Sequence, residues 1–497
     1  MNIRGPRLKK PSDEALAFTS SMAWDGRIAR HVIRVNMAHM LALVKSREVD
    51  RRVGSKCIKF LMDASPVVNP NAKAEDYHQQ LEQDAVDVLG VETAGVLNYG
   101  KSRNDQVATA IRMELRERTL DLVDAIADLQ LYLLNVVGKH GKVLIPGYTH
   151  LQHAQPVTVA HHFTAYFDAF QRDAARLLQL YERLNLSPMG SAAMAGTSVM
   201  IDREALAESL GFSGIVRNAM DAVASRDVAV EALACATMTM LDASRLAEEL
   251  ILWSSAEFGF VDLADTYSAS SSMMPQKKNA VFAEITRGKA GAVLGGLVAA
   301  CAILKALPYS YNLDLQEVTP LLWQAMDDSV DSIRVMAGAL SSTKFKTEAL
   351  ESRVSNDSST AVGLANYLVK KHGISFRQAH SIVGELARIS SSSNEPLQSV
   401  ASSKLSGVSS RLAGRRITIA RNTAEKILDP RRFLGGIRTE GGSNPAYVAK
   451  ELKIRRGALH STRSEITTRR LSLRASERKL DRTSLGITRE VKTRIEH

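Results

Sequence analysis

Residues Ser268 to Asn279 read SASSSMMPQKKN. Serine side chains compete for backbone hydrogen bonds and proline removes a donor, so this run is expected to be a loop rather than a helix. It offers a hydroxyl at Ser271 for proton transfer and a fixed positive charge at Lys277. Asn279 adds an amide that can donate and accept. That set suits a reaction in which a proton leaves carbon while negative charge builds on a neighbouring carboxylate. A serine-rich surface turn is the ordinary alternative, and other segments of the chain argue against it.

His150 is a second candidate for proton transfer. It follows Pro146-Gly147-Tyr148-Thr149, expected to be a turn leading into a helix. His153 stands three residues further on, but no acidic or cysteine partner lies near in the sequence, so no metal site is expected. Gly95 to Ser102 match the G-x-x-x-x-G-K-[ST] pattern of a phosphate-cradling loop. That loop requires a buried strand just before it, whereas Gln79 to Ala94 read as a charged helix. A nucleotide-binding protein is therefore the disfavoured alternative of a different class.

The 268–279 loop resembles the GSSxMPxKxN segment of the fumarase/aspartase superfamily. Its Gln276-Lys277-Lys278-Asn279 form is similar to the argininosuccinate lyase branch. Ser102 to Thr109 read SRNDQVAT, and Gly147 to Gln152 read GYTHLQ, continued by Ala154-Gln155-Pro156; both resemble motifs of the same branch. Weaker similarity runs from Phe18 to about Gly441, through Ser187 to Ser191, Tyr311 to Glu317 and Phe376 to His380. The resemblance covers nearly the whole chain except about its last forty residues.

It implies a cofactor-free β-elimination that releases fumarate and L-arginine from N-(L-arginino)succinate. Adenylosuccinate lyase is the nearest alternative, and a structural lens protein the non-enzymatic one. Residue by residue, it implies His150 as the proton-transfer histidine, acting as acid and oriented by Glu284. It implies Ser271 as base, with Lys277 lowering its pKa and stabilising the dianion; the reverse assignment of acid and base stays open. Ser21, Arg103, Asn104, Thr149, Asn279, Tyr311 and Gln316 match substrate contacts. The chain departs from the pattern at Asn98-Tyr99-Gly100-Lys101, where His-Thr-Gly-Arg is common. It also departs at Ser270, Ala280 and Val318-Thr319, where Gly, Pro and Lys are common.

Long helices are expected to carry these segments. Glycine and proline are absent between Gly100 and Gly138, from Val157 to Ser187, and from Ile215 to Phe258. In the first stretch Ile111, Leu115, Leu122, Ile126, Leu129, Leu133 and Val137 recur at helical spacing. Alternating strand patterns are scarce, so the fold class is all-α, a long-helix bundle. Apolar residues on more than one face of the third stretch point to a buried oligomeric core. The resemblance implies a homotetramer whose active sites are shared between chains. Punctuation suggests an N-terminal helical domain over 1–101, the central bundle over 102–360, a C-terminal helical domain over 361–454 and a basic tail over 455–497.

The net charge of +11 is uneven, because the tail alone carries +7. The tail lacks aromatics to stack on bases, so a docked or solvated helix is expected rather than a nucleic-acid arm. Three separated cysteines, Cys57, Cys235 and Cys301, argue for a reducing compartment. The N-terminus has no apolar secretory segment, and no run of about eighteen apolar residues is read in the chain, so a cytoplasmic protein without a membrane span is expected.

Overall fold

The computed structural model describes residues 11–355 and 358–493. Its longest bundle helix, Arg103–His140, begins where Ser102 provides a capping box: the Ser102 hydroxyl accepts from the backbone of Asn104, and the Asp105 carboxylate accepts from the backbone of Ser102. All seven apolar residues singled out by spacing are buried. At 1.5 Å per residue its 38 residues span about 57 Å.

This helix packs on Val159–Leu184 and Val318–Ser342, and Asp227–Ser254 and Val281–Leu304 complete a five-helix bundle. Phe163, Phe167, Phe170, Leu233, Leu246 and Trp323 fill the space between them. Each such side chain contributes about 1.5–3 kcal/mol by leaving water. Ala29–Lys45, Arg51–Asp63 and Tyr77–Leu89 share this core from the N-terminal side. Ala361–His372, Phe376–Ser393, Leu397–Ala413 and Arg421–Leu428 enclose a separate apolar cluster that includes Leu364, Ile382, Leu386, Leu405 and Leu428.

The chain then returns to the bundle as one 49-residue helix, Pro445–Thr493, which buries Leu459, Ile466 and Leu480. Its cations meet carboxylates on the bundle. Arg455 pairs with Asp168 at 2.6 Å, Arg463 with Asp128 at 2.6 Å, and Arg470 with Asp121 and Asp124 at 2.9 and 2.8 Å. Over residues 455–493 the tail is thus a docked helix, with Arg455, Arg463 and Arg470 paired to carboxylates of the bundle.

One helix bears on a sequence expectation, and one expectation needs correction. Val281–Leu304 is long and apolar enough to cross a membrane by length and composition, with a mean hydropathy of 1.4. It holds no uninterrupted run of eighteen apolar residues, because Glu284, Arg287 and Lys289 fall within its first turns. In the fold this helix packs along one side against Asp227–Ser254 and Val318–Ser342. The residues after Pro146 also form a β-hairpin, not a turn into a helix: Leu144–Thr149 pairs antiparallel with Gln152–Thr158, and the helix begins only at Val159.

Candidate active site

Five of the expected substrate contacts line one cavity of about 390 Å³: Ser21, Arg103, Asn104, Tyr311 and Gln316. Ser21 precedes a one-turn helix, and its hydroxyl donates to Asp25 Oδ2 at 2.9 Å. The Ser21 backbone amide donates to the Glu75 carbonyl, tying this segment to the bend before Tyr77–Leu89. Arg103 opens the long bundle helix, and its Nη1 donates to Glu75 at 3.1 Å and Asp76 at 3.2 Å. Asn104 donates to the Ala193 carbonyl at 3.0 Å, and Gln316 to the Thr19 carbonyl at 3.1 Å. Burial raises the Tyr311 phenol above its usual range.

The same cavity holds residues that sequence reasoning missed: Asp25, Glu75, Asp76, His78 and Arg226. Burial pushes the Asp25 carboxyl up to about 6, partly offset by hydrogen bonds from the Tyr77 amide and the Ser21 hydroxyl. Burial pushes the His78 imidazole down to about 4 and the Arg226 guanidinium down to about 10. Asp25 had a signal in its spacing, four residues beyond Ser21 on one turn of helix. Arg226 had none, because no motif stands beside it: the nearest expected substrate contact on its N-terminal side, Thr149, is 77 residues earlier.

The remaining expected residues do not line this cavity. Thr149 ends the first hairpin strand, and His150 with Leu151 forms its tip. Both tip residues adopt positive φ, 57° and 56°, as in the two-residue turn whose twist matches a hairpin. Gly147 is required below the tip, because a Cβ there would meet the Gln155 carbonyl oxygen at 2.4 Å. The tip is exposed, and Leu151 has 68% of its surface open.

Ser271 opens a short hairpin loop between Ala269–Ser270 and Lys278–Asn279. Its Oγ accepts from the backbone amides of Met273 and Met274 at 3.2 and 3.0 Å. Donors aimed at a hydroxyl oxygen favour its deprotonated form. Lys277 projects from the exposed loop, whereas Lys278 pairs with Asp262 and Asp265. Asn279 pairs with Ala269 across the ladder. Glu284 sits exposed in the first turn of Val281–Leu304, where a negative charge suits the helix N-terminus. Glu284 and His150 share no hydrogen bond among the described residues.

The G-x-x-x-x-G-K-[ST] match has no phosphate cradle. Helices Tyr77–Leu89 and Val91–Ala94 precede it, Gly95–Asn98 is a tight helical turn, and Ser102 caps the bundle helix. Lys101 turns inward to hydrogen-bond Asn36, and burial pushes its ammonium down to about 7.

A lyase family model matches residues 8–295, and an argininosuccinate lyase C-terminal model matches residues 358–434. The argininosuccinate lyase of Methanothrix thermoacetophila is 41% identical over 97% of this chain and 98% of its own. That of Methanoculleus marisnigri is 42% identical over 89% and 90%. Among solved structures, EDDS lyase in complex with formate superposes with a TM-score of 0.89 at 24% identity, covering 97% of each chain. A class II fumarase from Schistosoma mansoni superposes with a TM-score of 0.69 at 16% identity, over 86% of this chain and 96% of its own. The fold is therefore that of the fumarase/aspartase superfamily, and within it the chain belongs to the argininosuccinate lyase family.

Proposed function

We propose that the protein cleaves N-(L-arginino)succinate to fumarate and L-arginine. The observation that carries this reading is 41% identity to an argininosuccinate lyase along 97% of the chain, with Ser271, Lys277, His150 and Glu284 all present. Ser271, as alkoxide, takes the Cβ proton, and the electron pair moves onto the adjacent carboxylate as an aci-carboxylate dianion. Lys277 stabilises that charge. The dianion then expels the guanidino nitrogen as the alkene forms, and His150 gives that nitrogen its proton. Acid and base catalysis supply about 10²–10⁴-fold each, and fixed charge beside the dianion supplies more.

The reaction is read as occurring in a homotetramer with sites shared between chains. Val281–Leu304 supports this, because its face away from the bundle is apolar and open. Ile285 is 60% exposed, Leu294 43% and Val298 61%. Gly288, Gly291 and Gly295 have nothing within 4 Å of where a Cβ would stand, which leaves room for another helix to approach closely. An exposed stripe of this kind marks a contact surface. Assembly would bring hairpin tips and 268–279 loops from other chains to the cavity that holds Ser21, Arg103 and Tyr311.

The test is the appearance of fumarate absorbance with argininosuccinate and its absence with adenylosuccinate. Turnover of adenylosuccinate alone would replace this reading with the neighbouring one.

A further inference from the structure

Arg226 stands at the N-terminal end of Asp227–Ser254 and lines the same cavity as Ser21 and Tyr311. It is only 6% exposed. Its Nη1 donates to the Val223 and Ser225 carbonyls at 3.3 and 3.0 Å, and its buried Nε donates to nothing. No carboxylate pairs with it among the described residues. Arg112 and the start of the helix add further positive potential around it. A buried guanidinium without a counter-charge is costly, and the cost is relieved when an anion enters. The other arginine of the cavity, Arg103, is already held by Glu75 and Asp76.

In the same cavity Asp25 accepts from the Ser21 hydroxyl and the Tyr77 amide, both on Oδ2. One buried cation and one buried carboxylate in a single cavity match the head of an amino acid, with its carboxylate and its ammonium. Resting on the reading that the substrate is argininosuccinate, we infer that Arg226 binds the α-carboxylate of the arginine half. It thereby selects for an amino acid over the corresponding amine.

Calorimetric titration of the full-length protein with L-arginine, agmatine and fumarate tests this. Agmatine keeps the guanidino group and lacks the carboxylate. The wild type should prefer arginine to agmatine. In Arg226→Gln arginine binding should weaken about 10- to 100-fold, while agmatine and fumarate binding stay as they were. The KM for argininosuccinate should rise more than kcat falls, because the contact is made in ground state and transition state alike. Arg226→Lys keeps the charge without the planar fork and should fall between the two. Should circular dichroism show that Arg226→Gln does not fold, Arg226→Lys carries the test by the same comparison. Equal weakening of arginine and agmatine would overturn the assignment in favour of a structural role, and selective weakening of fumarate would move Arg226 to the succinyl end. A wild type that neither cleaves argininosuccinate nor binds arginine would overturn the functional reading itself, a result visible before any variant is made.

Discussion

Lys278 donates from Nζ to the Asp262 carboxylate at 2.9 Å, and Asp265 stands at 2.8 Å from the same nitrogen. Two neighbouring lysines therefore have different fates. Lys278 is tied back to the body of the protein, and Lys277 carries the free charge of the loop among the described residues.

Lys277→Met should nearly abolish turnover and leave the fold intact. The aci-carboxylate's extra charge exists only near the transition state, so the loss falls on kcat. It should be on the order of 10²-fold or more. Lys278→Met should cost far less, because its charge is already spent on Asp262 and Asp265. Steady-state kinetics of both variants decide the matter; a larger loss in Lys278→Met would show that the loop register is wrong.

Inactive His150→Asn and Ser271→Ala proteins should regain part of the activity when mixed. In the shared-site reading the hairpin tip and the serine loop reach one site from different chains. Some mixed assemblies then contain a site with both residues intact. Absence of recovery after mass spectrometry has verified subunit exchange would count against shared sites.

Val298→Glu should break the assembly without unfolding the chain. Val298 is 61% exposed in the single chain, so the carboxylate is solvated there and costs little. Between packed helices the same charge would be buried and unpaired, at about 3–5 kcal/mol. Light scattering should report smaller species and the far-ultraviolet spectrum unchanged helix. A tetramer that persists would place the interface elsewhere.

Asp105 supplies a pH signature. Its carboxylate accepts from the backbone amides of Ser102, Gly190 and Ala192, yet burial still pushes it up to about 6. A carboxyl group raised in the folded state contributes stability that is present below the unfolded value of 3.8 and lost as pH rises through about 6. Asn at this position does not titrate. The stability lost in Asp105→Asn, read by urea unfolding, should therefore be smaller at pH 8 than at pH 4.5, by roughly 2 kcal/mol. A penalty that grows with pH would show that the ionised form is the one favoured by folding.

The long helices were legible because their signal is local. The spacing of Ile111 through Val137 and the serine at position 102 are enough to set both the buried face and the start of Arg103–His140. The serine loop was legible for the same reason, since its hydroxyls and proline act on their own neighbours. The hairpin at His150 was not, because its two strands mix buried and exposed residues without clean alternation, and Gly147 is needed only once Gln155 lies opposite. The tail's composition announced a charge, but its helix is held by Asp121, Asp124, Asp128 and Asp168, which no reading of the tail could supply.

The sequence by itself determined the chemistry on offer: a loop serine, two adjacent lysines, a histidine, and the order of the segments that bear them. Only the tertiary structure decided which of these meet within one chain. It gathered Ser21, Arg103, Asn104, Tyr311 and Gln316 around one cavity and added Asp25 and Arg226, and it left His150, Ser271 and Lys277 outside that cavity, on the hairpin tip and the 268–279 loop. The reason is physical. Residue type and local spacing fix what a side chain can do, whereas burial and counter-charge, which fix what it does, come from segments distant in the chain.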